Sequence, residues 1–256
     1  MSEWKEYRFS DFVTINPMVK IAKGEPVSFV EMKDLEDGKR FCEPSQERVL
    51  GGGSRFQNGD TLFARITPCL ENGKICQVKN LKGNVGFGST EFHVLRGKEN
   101  VSTTDFVYYL SRWEGVRDHA EINLDGTSGR QRMPKQAFNE LLLKLPPLPE
   151  QTAIATVLSS LDDKIDLLHR QNATLEKMAE TLFRQWFVEE AKEEWEMERL
   201  SDEFDFVMGA SPPGESYNEE GNGIPMYQGN ADFGFRFPTN RVFTTDQRDL
   251  LKNLTL

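Results

Sequence analysis

Two loops hold the side chains best suited to chemistry. In Leu124-Asp125-Gly126-Thr127-Ser128-Gly129-Arg130-Gln131-Arg132-Met133-Pro134-Lys135, residues 126 to 135 carry three cations and no acid. Gly126 and Gly129 let backbone N–H groups approach a phosphate, and Thr127 and Ser128 add hydroxyl donors. Arg130, Gln131 and Arg132 suit either neutralising phosphate or reading base edges. A solvated turn ahead of a helix has the same composition, so both readings stand. The second loop, Arg65-Ile66-Thr67-Pro68-Cys69-Leu70-Glu71-Asn72-Gly73-Lys74, offers Arg65, Asn72 and Lys74 for the same task. Its plainer reading is a hairpin loop turned by Asn72-Gly73.

Catalytic patterns are missing. Gly73-Lys74 and Gly97-Lys98 are followed by Ile75 and Glu99 where a phosphate-binding loop needs Ser or Thr. Glu31-Met32-Lys33 is half of a nuclease signature with no Pro-Asp before it. There is no G-x-S-x-G elbow and no glycine-rich turn for a nucleotide or S-adenosylmethionine. Cys42, Cys69 and Cys76 form no C-x-x-C pair, and none of His93, His119 and His169 stands at ligand spacing from them, which argues against zinc. The chain reads as a binding protein without catalysis, cofactor or metal of its own. Unpaired cysteines, no basic-then-apolar start and no 18-residue apolar run point to a reduced, soluble, cytoplasmic protein without a membrane segment.

The elements that position these loops are short. Val27–Val30, Thr61–Ile66, Lys74–Val78 and Phe92–Leu95 read as strands bounded by Gly, Pro or Asn. Thr104-Asp105 caps a helix through Phe106, Tyr109, Leu110 and Trp113, and a second short helix is expected over Ala137–Leu142. The mixture predicts an α+β domain over residues 1–145.

A different kind of element follows. Pro146, Pro147 and Pro149 hold the chain extended into a run that lacks proline and glycine until Gly209. Ile154, Leu158, Leu161, Ile165, Leu168, Asn172, Leu175, Ala179, Leu182 and Trp186 fall at alternating spacings of four and three, the heptad seam of a coiled coil. A lone Asn in such a seam is a device for register and oligomeric state. Residues 146–192 therefore predict a long helix that needs a partner helix from this chain, a second copy or another protein.

Past the helix the chain starts again: Trp4-Lys5-Glu6-Tyr7-Arg8-Phe9-Ser10-Asp11 matches Trp195-Glu196-Met197-Glu198-Arg199-Leu200-Ser201-Asp202. Pro26-Val27 and Asp34-Leu35 find a looser echo in Pro225-Met226 and Asp232-Phe233. Residues 193–256 thus read as a second, shortened α+β domain. Charge separates the parts: residues 1–149 hold 21 Lys+Arg against 20 Asp+Glu, whereas residues 150–256 hold 10 against 21. The first domain has room for a basic face; the acidic remainder suits protein contacts.

Four motifs in this order resemble the DNA-specificity (S) subunits of type I restriction-modification systems. They are Gly59-Asp60-Thr61-Leu62-Phe63-Ala64-Arg65, Gly88-Ser89-Thr90-Glu91-Phe92-His93-Val94-Leu95-Arg96, Gly126-Thr127-Ser128-Gly129-Arg130-Gln131-Arg132 and Leu145-Pro146-Pro147-Leu148-Pro149-Glu150-Gln151. The resemblance implies two target-recognition domains joined by two long helices packed as an antiparallel coiled coil. Each domain reads half of a split site in double-stranded DNA, and the helices act as a ruler for the gap. It further implies two methyltransferase subunits bringing S-adenosylmethionine, and motor-nuclease subunits bringing ATP. This chain holds the first domain, the first helix and the opening of the second domain. The expected role is non-catalytic DNA recognition, with the seam covered by an antiparallel dimer of two copies. The rival reading is a homodimeric or regulatory coiled-coil adaptor without stable DNA binding.

Overall fold

The structure, a computed structural model, describes residues 3–22, 24–127, 129–192, 198–205, 211–227, 229, 232–234 and 237–246. The chain divides into two compact units, residues 1–182 and 183–256.

The first unit carries strands β1 (Lys5–Arg8), β2 (Val13–Ile15), β3 (Pro26–Val30), β4 (Phe41–Cys42), β5 (Gln46–Val49), β6 (Ser54–Gln57), β7 (Thr61–Ala64), β8 (Ile75–Val78), β9 (Val85–Gly88), β10 (Phe92–Gly97) and β11 (Leu142–Leu145). Its helices are α1 (Phe9–Phe12), α2 (Thr104–Arg112), α3 (Glu114–Ile122) and α4 (Leu148–Arg184). The expected α+β class holds. One sheet runs β2-β10-β7-β8-β4, a second β5-β3-β9-β6, and β1 pairs antiparallel with β11.

Every residue of β7 and β8 is buried, because the five-stranded sheet has a core on each face. Phe63, Ile75 and Leu95 face one cluster, with Phe9, Phe12, Phe106 and Phe138. Their neighbours Leu62, Cys76 and Val94 face the other, with Val30, Leu35 and Phe56. Alternation along each strand thus serves two cores rather than a core and solvent.

The four expected strands form. The helix of Thr104 begins there, with Thr103 as its cap, accepting from Phe106 N at 3.3 Å. The helix expected over Ala137–Leu142 is a 3-10 turn, Lys135–Asn139, that gives way to β11. Pairing with β1 decides this: Leu142–Leu145 completes a ladder from Arg8↔Leu142 to Lys5↔Leu145, a non-local gain that local pattern does not display.

The long helix forms as 37 residues of α4, about 55 Å at 1.5 Å per residue. Its first turns lie on the first core, with Ala155 buried and Ile154 packed against that cluster. From Leu161 to Leu182 its apolar seam is exposed. No described helix is long and apolar enough to cross a membrane.

The second unit holds α5 (Leu200–Glu203) and a three-stranded sheet of β12 (Tyr217–Asn218), β14 (Val242–Thr244) and β13 (Ile224–Met226), in that order. The repeat has a structural counterpart: α5 begins at Leu200, aligned with Phe9 at the start of α1. Each follows an extended Arg, Arg8 and Arg199. Trp195, Glu196 and Met197 of the repeat lie outside the described residues.

Candidate nucleic-acid interface

The structure brings the two candidate loops together. Thr67 N donates to Gln131 O at 3.0 Å, Gln131 N donates to Thr67 Oγ1 at 3.1 Å, and Met133 N donates to Arg65 O at 2.8 Å. The Leu124–Lys135 loop is itself a small hairpin. Asp125 and Arg132 exchange backbone hydrogen bonds of 3.1 and 2.8 Å, and Arg130 N returns to Thr127 O at 3.0 Å. Gly126 at φ +121° and Gly129 at φ +77° supply the left-handed backbone that so tight a reversal needs. Ser128 lies outside the described residues.

The partners of each cation separate anchors from contacts. Arg132 makes a bidentate pair with Glu91, Nε to Oε2 at 2.9 Å and Nη2 to Oε1 at 2.7 Å, which raises its pKa further. Lys74 turns inward, its ammonium donating to the carbonyls of Met32 at 2.9 Å and Leu35 at 3.0 Å. Arg65 is half-buried, and its Nε has no hydrogen-bond partner among the described residues. Arg130 is exposed, and its guanidinium has neither hydrogen bond nor ion pair among the described residues. Asn72 is also exposed, at the far end of its loop.

That loop is not a two-residue Asn-Gly hairpin. Leu70 is fully buried and draws the segment into successive helical turns, with Leu70 N on Ile66 O at 2.9 Å and Asn72 N on Pro68 O at 2.9 Å. Only Gly73, at φ +64°, takes the left-handed conformation.

Beneath the hairpin, buried Met133 and His93 form the footing. A carbonyl only accepts, so His93 Nε2–H donates to Met133 O at 3.0 Å. The His93 ring stands edge-on to Phe138, centroids 5.6 Å apart. Burial lowers its pKa to about 4; the Met133 carbonyl opposes this, and nearby Arg65 and Lys135 add to the lowering. Arg65 and Lys135 thus put two cations near the footing, and Arg130 adds a third on the hairpin itself. Backbone N–H groups, the Thr127 hydroxyl and an unpaired guanidinium on a rigid base can hold a phosphate or a base edge.

Three of the four sequence motifs prove to be fastenings of one another, and the fourth fastens the start of α4 to the segment before α2. Asp60 of the first is 1% exposed and accepts both Arg96 Nε at 2.6 Å and Nη2 at 2.7 Å from the end of the second. Glu91 of the second holds Arg132 of the third. Gln151 of the fourth is fully buried; its Oε1 accepts from Thr103 N at 3.0 Å, and its Nε2 donates to Val101 O and Pro146 O, each at 2.9 Å. Glu91, His93 and Met133 stood within these motifs and loops without a role of their own, although alternation in Glu91-Phe92-His93-Val94 places the acid and the imidazole on the face opposite Phe92.

On α4, Ile154 packs on the first core and Leu158 is half-buried, while Leu161 (57% exposed), Ile165, Leu168, Asn172, Leu175 (61%) and Leu182 are exposed, as is Trp186 in the turn Gln185–Glu189 that follows α4. The stripe exceeds what a soluble surface ordinarily leaves uncovered.

Residues 1–177 match the family described as "Type I restriction modification DNA specificity domain". Over 215 residues the chain is 31% identical to the type I restriction enzyme EcoEI specificity subunit of Escherichia coli, covering 79% of this chain and 36% of that one. It is 29% identical over 220 residues to the putative MjaX specificity subunit of Methanocaldococcus jannaschii, covering 75% and 50%. The solved HsdS subunit of Thermoanaerobacter tengcongensis superposes with a TM-score of 0.50 at 25% identity, covering 95% of this chain and 65% of that one. The chain thus spans about a third to a half of the length of these curated relatives. A family match over residues 1–177, carrying the interlocked motifs and the helix that leaves them, shows that this chain belongs to the type I restriction-modification DNA-specificity family.

Proposed function

We propose that the first unit reads one half of a split site in double-stranded DNA through the Asp125–Arg132 hairpin, with Arg130 as its principal contact and Arg65 beside it. The observation that carries this reading is an unpaired, exposed guanidinium on a hairpin whose other arginine, Arg132, is held by Glu91, within a domain of the specificity family. Arg132 and Lys74 then serve the site by shaping it. The chain is non-catalytic. Methyltransferase subunits bring S-adenosylmethionine and methylate adenine, motor-nuclease subunits bring ATP, and both dock on the frame that α4 belongs to. The seam of α4 is covered by an antiparallel helix of the same kind, from a longer chain or a second copy. Two copies would present two identical domains and read a symmetric site.

Titration of fluorescent duplexes bearing random half-sites, at several salt concentrations, tests the reading. Arg130→Ala should weaken specific binding by about 1 to 3 kcal/mol and relax one base position if it reads a base. If it holds phosphate, binding should weaken across all sequences with a shallower salt slope. Unchanged affinity removes Arg130 from the interface. A second reading, a coiled-coil adaptor without stable DNA binding, draws on the bare seam and the acid excess after residue 150, and it predicts no salt-dependent DNA binding at all.

A further inference from the structure

Within the first unit, the sheets and the helix α2 are fastened to α4 at two places. The first is Gln151 in the opening turn. The second centres on Arg40, which precedes β4 and is buried. Its Nε donates to Gln77 Oε1 at 2.8 Å, its Nη2 to Asp105 Oδ1 at 2.8 Å and its Nη1 across to Ser159 Oγ of α4 at 2.6 Å. The guanidinium lies 4.7 Å from the centre of the Phe41 ring and 5.3 Å from that of Tyr109. Tyr109 reaches α4 too: its hydroxyl donates to Asp162 Oδ2 at 2.7 Å and stands 3.3 Å from Ser159 Oγ, whose proton it can accept. A planar fork that serves three acceptors in three directions is a task for arginine and not for lysine.

Two fastenings on one rod fix its direction. Gln151 and Asp162 are about 16 Å apart along the helix axis. Beyond Asp162 the side of α4 as far as Ala173 borders an open cleft of about 580 Å³. Its far wall is formed mostly by residues between Asp34 and Glu43, so space is open on that side of the helix. The lever from Asp162 to Leu182 is about 30 Å long. A tilt of about 6.5° at the joint therefore moves its end by about 3.4 Å, the rise of one base pair.

We infer that Arg40 and Tyr109, closing on Ser159 and Asp162, set the angle at which α4 leaves the recognition domain, so that Arg40 is a positioning residue for the gap between half-sites. This rests on the reading of α4 as a ruler. None of these side chains touches DNA in this role; they act through the helix.

Complexes of the chain with its methyltransferase subunit would be offered a DNA library in which the two half-sites are separated by gaps of varied length, and methylated adenines mapped. Wild type and Asp162→Asn, which keeps the acceptor for Tyr109, should methylate one gap, with neighbouring gaps below a hundredth of that yield. Tyr109→Phe/Ser159→Ala and Arg40→Met should methylate gaps one base pair longer or shorter at a tenth of the cognate yield or more, with half-site sequences unchanged. Folded variants that keep a single gap overturn the inference. Arg40→Met strips Gln77 of a partner; should it fail to fold, the Tyr109/Ser159 pair at the domain margin carries the test. The joint is also read without DNA, from the distance distribution between spin labels on Lys82 and Thr174 in the chain alone. It should broaden by several ångströms in the double variant, and an unchanged distribution overturns the joint. No methylation by wild type beside a broadened distribution rejects the ruler reading, and with it Arg40 as a determinant of the gap, while leaving the joint.

Discussion

Acid should undo the footing of the candidate hairpin through one residue. His93 is fully buried, its Nε2–H is committed to Met133 O, and its Nδ1 has no partner among the described residues. A second proton would place a cation where nothing accepts from it, close to Arg65 and Lys135. Folding lowers its pKa from 6.5 to about 4. Between those values the unfolded chain binds the proton and the folded chain does not, so stability falls as pH drops through 6.5 toward 4. The contribution is fully present above about pH 6.5. Linkage over that interval gives a loss of about 2 kcal/mol between pH 7 and pH 5, and about 3 kcal/mol by pH 4. Carboxylates titrate in the same range, so the quantity to measure is a difference between two proteins. Urea unfolding followed by tryptophan fluorescence would be run from pH 7.5 to pH 4 on wild type and on His93→Gln, which keeps a donor for Met133 O and does not titrate. The wild-type free energy should fall more steeply by about 2 kcal/mol between pH 7 and pH 5. Parallel profiles would refute the assignment of a neutral, proton-refusing His93.

Asp60→Ala leaves Arg96 half-buried without its carboxylate and should cost about 3 kcal/mol in chemical denaturation, far more than an exposed ion pair; a loss under about 0.5 kcal/mol would contradict the fastening role. Gly53→Ala should destabilise by about 1 to 3 kcal/mol, because φ is +139° and the new Cβ would stand 1.9 Å from Gly88 O. Gly51→Ala, with open space around it, should be neutral in the same chemical denaturation. Leu161→Glu or Leu175→Glu should abolish seam-mediated association in sedimentation velocity while leaving the unfolding of the first unit within about 0.5 kcal/mol, since both side chains are exposed. Association that persists in both variants would place the partner on another face.

What the sequence displays and what it hides follow from the range of the interactions. The heptad seam of α4 and the strands Thr61–Ala64 and Phe92–Gly97 are legible because their signals repeat within a few residues. The pairing of β1 with β11 is not, since Lys5 and Leu145 are far apart in the chain. The same limit applied to the site. Composition marked Gly126–Lys135 as cationic, but only the fold reveals that Glu91 takes up Arg132 and that Lys74 caps the carbonyls of Met32 and Leu35. Arg40 sat in an unremarked loop, and its value lies in partners 37, 65 and 119 residues away.

Recognition of a DNA half-site by the first unit is the claim on which the rest depends. Adenine-methylation mapping on DNA exposed to the complex of this chain with its methyltransferase subunit, wild type beside Arg130→Ala, tests it most directly. Methylation confined to a split motif by wild type, with one half-site relaxed or lost in Arg130→Ala, is the predicted result. Methylation without sequence preference, or a motif identical in both proteins, would contradict it.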